Sequence, residues 1–132
     1  MAVLTQEMKD MVNSTQCYVG TVSKEGIQNV APKRSTRVLN DETLVFTEGT
    51  GGTTYQNVLD GSRVVVAVAN REIPDGFRFI CTPEVQNSGA LYDQAAAMSQ
   101  QAGLPKPKAV VLCHVEEIHG LKPGPMAGKK IL

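Results

Sequence analysis

Two stretches of this chain hold residue types that could do chemistry. The first is Glu48-Gly49-Thr50-Gly51-Gly52-Thr53-Thr54-Tyr55-Gln56-Asn57, set between the apolar run Leu44-Val45-Phe46-Thr47 and Val58-Leu59-Asp60-Gly61. That order predicts a strand, a glycine-rich hydroxyl loop and a short helix. A helix start presents unpaired N–H groups and the positive end of a dipole, which suits a phosphate. Glycines let backbone amides approach closely, and threonine hydroxyls add donors. The bland alternative is a plain loop with a threonine helix cap. The second stretch is Pro32-Lys33-Arg34-Ser35-Thr36-Arg37, a segment of cations and hydroxyls. Together the two point to a phosphorylated small molecule rather than a polymer.

Within the second stretch, a strand would put Lys33, Ser35 and Arg37 on one face and Arg34 and Thr36 on the other. A basic group on a phosphate gains a charge-assisted hydrogen bond. That role is assigned to Lys33 or Arg34, and Arg37 is read as surface. His114 and His119 match no helical metal pair, and the adjacent Glu116 and Glu117 point to opposite strand faces, so no metal site is assigned. No nucleophile elbow or Ser–His–Asp order is present, and no catalytic residue is named. Cys17, Cys81 and Cys113 are odd in number, far apart and set in apolar surroundings. They read as small buried hydrophobes in a reducing compartment.

The elements that must position these residues follow from periodicity. Leu4, Met8, Met11 and Val12 recur at helical spacing, with Thr5 as the cap. Strands are expected at Cys17 to Ser23, Ile27 to Leu39, Thr43 to Thr47, Arg63 to Ala69, Phe77 to Val85 and Ala109 to Ile118. Pro32 cannot donate to a ladder, so an edge, bulge or bend is expected there, and a break or bend at Pro83. The run Val64 to Ala69 fits a strand covered on both faces. Leu91, Ala95, Met98 and Ala102 predict a further helix, stopped by Gly103, Pro105 and Pro107. Residues 122–132 have linker composition and are expected to be flexible or to lie along a partner subunit. Strands in consecutive runs joined by turns predict a mainly β fold with peripheral helices, an antiparallel six-stranded barrel.

The 132 residues suit one domain, 1–132. Hydrophobic content of 42% and charged content of 20% are those of an ordinary globular protein. Thirteen basic and thirteen acidic residues cancel, which argues against nucleic acid as the main partner. No apolar run approaches the roughly 20 residues of a membrane helix, and the first residues lack a signal-peptide pattern, so the expected location is cytoplasmic.

In order and co-occurrence, several segments resemble one family. They are the opening helix, N-V-A-P-K-R-S-T-R-V-L, D-E-T-L-V-F with its glycine-threonine loop, and V-L-D-G-S-R-V-V-V-A-V. G-F-R-F, K-A-V-V-L-C-H-V-E-E-I and L-K-P-G-P-M-A-G-K-K-I follow. The chain resembles the pyridoxamine 5'-phosphate oxidase-like FMN-binding split-barrel proteins, in their small flavin-binding branch, over nearly its whole length. The resemblance implies a homodimer with FMN in a cleft between subunits. It implies cofactor contacts from Val30, Ala31, Pro32, Lys33, Arg34 and Ser35, from Phe46 and Thr47, and from Thr50, Gly51, Gly52, Thr53, Thr54 and Asn57. In similar proteins the loop often reads G-K-T-x-x-N. Here Thr54 and Asn57 match, and Thr53 stands in place of the lysine. That removes a cation, which Lys33 or Arg34 would supply.

The function implied is an FMN-dependent oxidoreductase, moving hydride or electrons between the flavin and a small substrate or redox partner. The chain is short beside pyridoxamine-phosphate oxidase itself, which argues against that reaction. The alternatives are a non-catalytic flavin carrier, or the same fold holding a deazaflavin or haem. Partner-chain residues, from the tail or from Arg71 to Gly76, would complete the cleft.

Overall fold

The computed structural model describes residues 1–132. Helix α1 (Gln6–Ser14) opens it, capped by Thr5. The Thr5 hydroxyl accepts the Met8 amide at 3.3 Å, and the Thr5 amide donates to Met8 Sδ at 3.4 Å. Seven strands follow: β1 (Cys17–Val22), β2 (Gln28–Pro32), β3 (Arg37–Asn40), β4 (Thr43–Glu48), β5 (Val64–Asn70), β6 (Asp75–Gln86) and β7 (Ala109–Gly120). Helix α2 (Thr53–Leu59) lies between β4 and β5, and α3 (Ala90–Gln101) between β6 and β7. The strand order is β2-β1-β5-β6-β7-β4-β3, and every pairing is antiparallel.

The seventh strand comes from a break in the expected strand Ile27 to Leu39. Its halves, β2 and β3, end up on opposite edges of the sheet. Pro32 ends β2, and a turn follows in which Thr36 donates to the Lys33 carbonyl through its amide, at 3.1 Å, and its hydroxyl, at 2.7 Å. The face alternation expected for residues 33–37 is therefore absent.

This turn also closes the barrel. Six steps of about 4.8 Å would set the edges of a flat sheet of this size about 29 Å apart. The backbone from Pro32 to Arg37 spans at most about 18 Å. The sheet must curl until its edges meet. The Lys33 amide accordingly reaches the Cys17 carbonyl on β1 at 3.1 Å, while Ser35 Oγ accepts the Thr47 amide of β4 at 2.8 Å.

The barrel interior holds Val19, Val64, Val66, Val68, Phe77, Phe79, Val111 and Ile118, with Met8, Met11 and Val12 of α1 packed against them. All three cysteines are buried, and desolvation pushes the Cys17 thiol up to about 11. A second cluster, Val45, Tyr92, Ala95, Val110 and Leu112, packs α3 onto the other sheet face. Strand β5 departs from expectation, for only alternate residues are buried and Val65 and Ala67 are half-buried. Strand β6 runs through Pro83 without a break, and its register shifts instead between Ile80 and Cys81.

Residues 122–132 fold back onto their own β7. Gly128 and Gly120 pair through their amide and carbonyl at 2.7 Å, the Ile131 amide meets the Ile118 carbonyl at 2.8 Å, and Arg78 Nη2 donates to the Gly128 carbonyl at 3.1 Å.

Candidate functional site

Barrel closure creates a cleft of about 790 Å³ beside the 33–36 turn. One wall is that turn, with Lys33, Arg34, Ser35 and, on β3, Arg37. The end of β4 and its loop form the floor through Thr47, Gly49 and Thr50. The opposite wall is the C-terminal half of α3 and the descending chain, with Met98, Leu104, Lys106 and Lys108. Gly103 stops α3 at a positive φ of 73°, a conformation that favours glycine, and turns the chain toward the cleft. The Lys108 amide then extends the β4–β7 ladder by donating to the Glu48 carbonyl at 2.8 Å.

Hydrogen bonds fix the cationic wall. Arg37 Nη1 donates to the Ser35 carbonyl at 2.8 Å and reaches Thr47 Oγ1 at 3.5 Å. Burial lowers the Arg37 pKa from its ordinary value. Lys33 Nζ lies 3.2 Å from Glu48 Oε1 and 5.8 Å from the Phe46 ring centroid. Glu48 is buried, with 1% of its surface exposed, and its Oε2 also accepts the Gly51 amide at 3.4 Å. Met98 of α3 and Leu104 face Lys33, Arg34 and Arg37 across the cleft, and Lys106 and Lys108 stand on their own wall. Such a cleft can hold a ligand with an apolar body and an anionic group.

Of the residues singled out in the sequence, Pro32, Lys33, Arg34, Ser35, Thr47 and Thr50 line this cleft. Gly51 adjoins it under the stem of Lys108, and a Cβ there would sit 3.4 Å from two Lys108 carbons. Gly52 caps α2 without a side-chain bond, and Thr53 is exposed. Thr54 and Asn57 instead face the barrel. Thr54 Oγ1 accepts Asn29 Nδ2 at 3.2 Å, and Asn57 Nδ2 donates to Thr21 Oγ1 at 3.1 Å, so both pin α2 to β1 and β2. Phe46 lies in the core. Ala31 is half-buried, and Val30 is 69% exposed on β2, outside the cleft. Arg37, read as surface, is part of the wall. Glu48, Leu104, Lys106 and Lys108 carry no spacing signal in the sequence, and Met98 carries only the helical period of α3. Only the Lys106-Pro107-Lys108 pairing of cations with proline marks that stretch at all.

The histidines stand elsewhere. His114 Nε2 lies 2.8 Å from Glu84 Oε1, and His119 Nε2 2.8 Å from Glu117 Oε1. Bonds from Gln86 first and His114 second lower the Glu84 pKa, and the His119 bond lowers that of Glu117.

This architecture agrees with comparison to known proteins. Residues 4–122 match the family model described as pyridoxamine 5'-phosphate oxidase. The chain belongs to that family. Its split barrel matches the tagged HupZ protein of Group A Streptococcus with a TM-score of 0.84 and 41% identity, over 95% of this chain and 99% of that one. An uncharacterised protein of Methanocaldococcus jannaschii is 32% identical over 97% of this chain and 87% of its own length. An FMN-binding protein from Syntrophomonas wolfei is similar in fold alone, with a TM-score of 0.74 and 16% identity over 90% of this chain and 86% of that one.

Proposed function

We propose that this chain is a homodimeric FMN-binding oxidoreductase whose flavin phosphate sits in the cleft beside the 33–36 turn. The observation that carries the reading is the donor set gathered by barrel closure. Arg34 and Arg37 offer guanidinium donors, and Ser35, Thr47 and Thr50 offer hydroxyls, on one side of an apolar cleft. This chemistry fits a phosphomonoester on an aromatic ligand, because bidentate charge-assisted bonds suit phosphate oxygens. Arg37 is preorganised by the Ser35 carbonyl, so little freedom is lost on binding. Bound FMN would supply the hydride or electron chemistry. The protein's residues hold the phosphate, and the apolar surface of α3 excludes water from one side.

The dimer is supported by an uncovered sheet face. Tyr18 and Val22 on β1 and Val30 on β2 are 47%, 41% and 69% exposed. Register places Gly20 between Val30 and Val65, and Val65 opposite Ile80. The result is an apolar strip across four strands, and the half-covered run of β5 lies at its centre. Contiguous exposed apolar surface of this kind marks an interaction site.

The test is an absorption spectrum of purified protein after addition of FMN and desalting. Retained flavin bands near one FMN per chain are expected. Protein that washes free of flavin would sink this reading and turn attention to deazaflavin or haem.

A further inference from the structure

Glu48 lies buried behind the cleft wall rather than lining it, and it holds Lys33, a cation of that wall which a ligand anion would use. Its side chain is 2% exposed, against 19% for its partner Lys33. Glu48 Oε1 and Oε2 lie 3.2 and 3.5 Å from Lys33 Nζ. Oε2 also accepts the amide of Gly51, a loop residue with a φ of 78°, at 3.4 Å. A cation and a backbone donor beside the cleft are therefore already committed to an internal anion. The buried pair cannot be opened cheaply, because drawing Lys33 away leaves a charge in a dehydrated place. A phosphate entering here meets a neutralised lysine and a like charge behind it.

We propose that Glu48 sets the charge selectivity of the cleft, acting as a resident competitor that restrains affinity for phosphate-bearing ligands relative to their uncharged parents. Glu48 touches no reacting atom and acts through Lys33 and Gly51. The inference rests on the cleft being the phosphate site. It sets a buried carboxylate behind the wall beside a loop that carries Thr53 where a cation is common in similar proteins.

The experiment compares binding of FMN, riboflavin and inorganic pyrophosphate by the wild-type chain and Glu48→Gln. Glutamine keeps an oxygen for Lys33 and Gly51 and removes the charge. FMN and pyrophosphate should bind on the order of tenfold tighter or more to the variant, as removal of a nearby like charge in partly buried surroundings predicts. Riboflavin should be unchanged. Equal or weaker binding of both anions overturns the proposal while leaving FMN binding itself standing. If FMN binds neither protein, the flavin reading falls and pyrophosphate alone decides this one, with no binding counting against it. Should Glu48→Gln not fold, the double variant Lys33→Met/Glu48→Leu replaces the pair with apolar groups, a change that buried pairs often tolerate. FMN affinity within about threefold of wild type is then expected, because the pair contributes no net charge; a loss of more than about tenfold overturns the proposal.

Discussion

Arg37 is the best-positioned cation of the cleft, held by the Ser35 carbonyl and within reach of Thr47 Oγ1. Arg37→Ala should weaken FMN binding by about 1.5–3 kcal/mol, the worth of a hydrogen bond to a charged group. Riboflavin binding should not change, and fluorescence titration of both flavins checks the difference. Away from the cleft, residue-scale effects concern pH. Glu84 has a folded pKa below its ordinary 4.5 through Gln86 and His114, and Glu117 through His119. Between the folded value and 4.5 the unfolded chain binds more protons, so stability rises with pH in that window. The contribution is whole above about pH 4.5 and is lost as pH falls through the folded pKa. Glu84 is exposed and Glu117 partly so, and solvent screening keeps the effect small. The gap in melting temperature between wild type and Glu84→Gln should narrow on acidification from pH 7 to pH 3, and a constant gap would remove these bonds from the account.

At the scale of elements, local signals and tertiary ones separate cleanly. Thr5 caps α1 as its sequence position predicts, and Thr5→Ala should cost about 1 kcal/mol in urea unfolding. The stop of α3 at Gly103 was equally legible, because φ-positive glycine and following prolines act on their own neighbours. The fate of residues 122–132 was not. Their glycine and proline content reads as linker, yet their amides and carbonyls find partners on the edge of β7 left free beyond the β4–β7 ladder. The Ile118 amide donates to the Leu132 carbonyl at 3.0 Å and that of Gly120 to the Lys129 carbonyl at 3.1 Å. Deleting residues 123–132 should therefore speed hydrogen exchange at Ile118 and Gly120 while Val111 and Cys113, inside the β4–β7 ladder, keep their protection. Unchanged exchange would mean that the tail is not held there in solution.

On the scale of the whole molecule, the outer strip that is apolar from β2 to β6 is where the proposed dimer would form. Val30→Asp puts a charge at the most exposed point of that strip and should shift the proposed dimer to monomer by light scattering. A dimer that survives would place the interface elsewhere. The sequence by itself determined the helices, the Thr5 cap of α1, the strand-rich order and the buried cysteines, and it marked Pro32 to Ser35, which line the cleft. Each of these depends on side-chain period or turn chemistry within a few residues. Only the tertiary structure decided which edges meet. Closure through the 33–36 turn brought Arg37 into the wall and buried Glu48 against Lys33. It also set Lys106 and Lys108 across from a turn some 70 residues earlier in the chain. No local pattern carries that convergence, because it follows from the curl of a seven-stranded sheet whose two edge strands are joined by four residues.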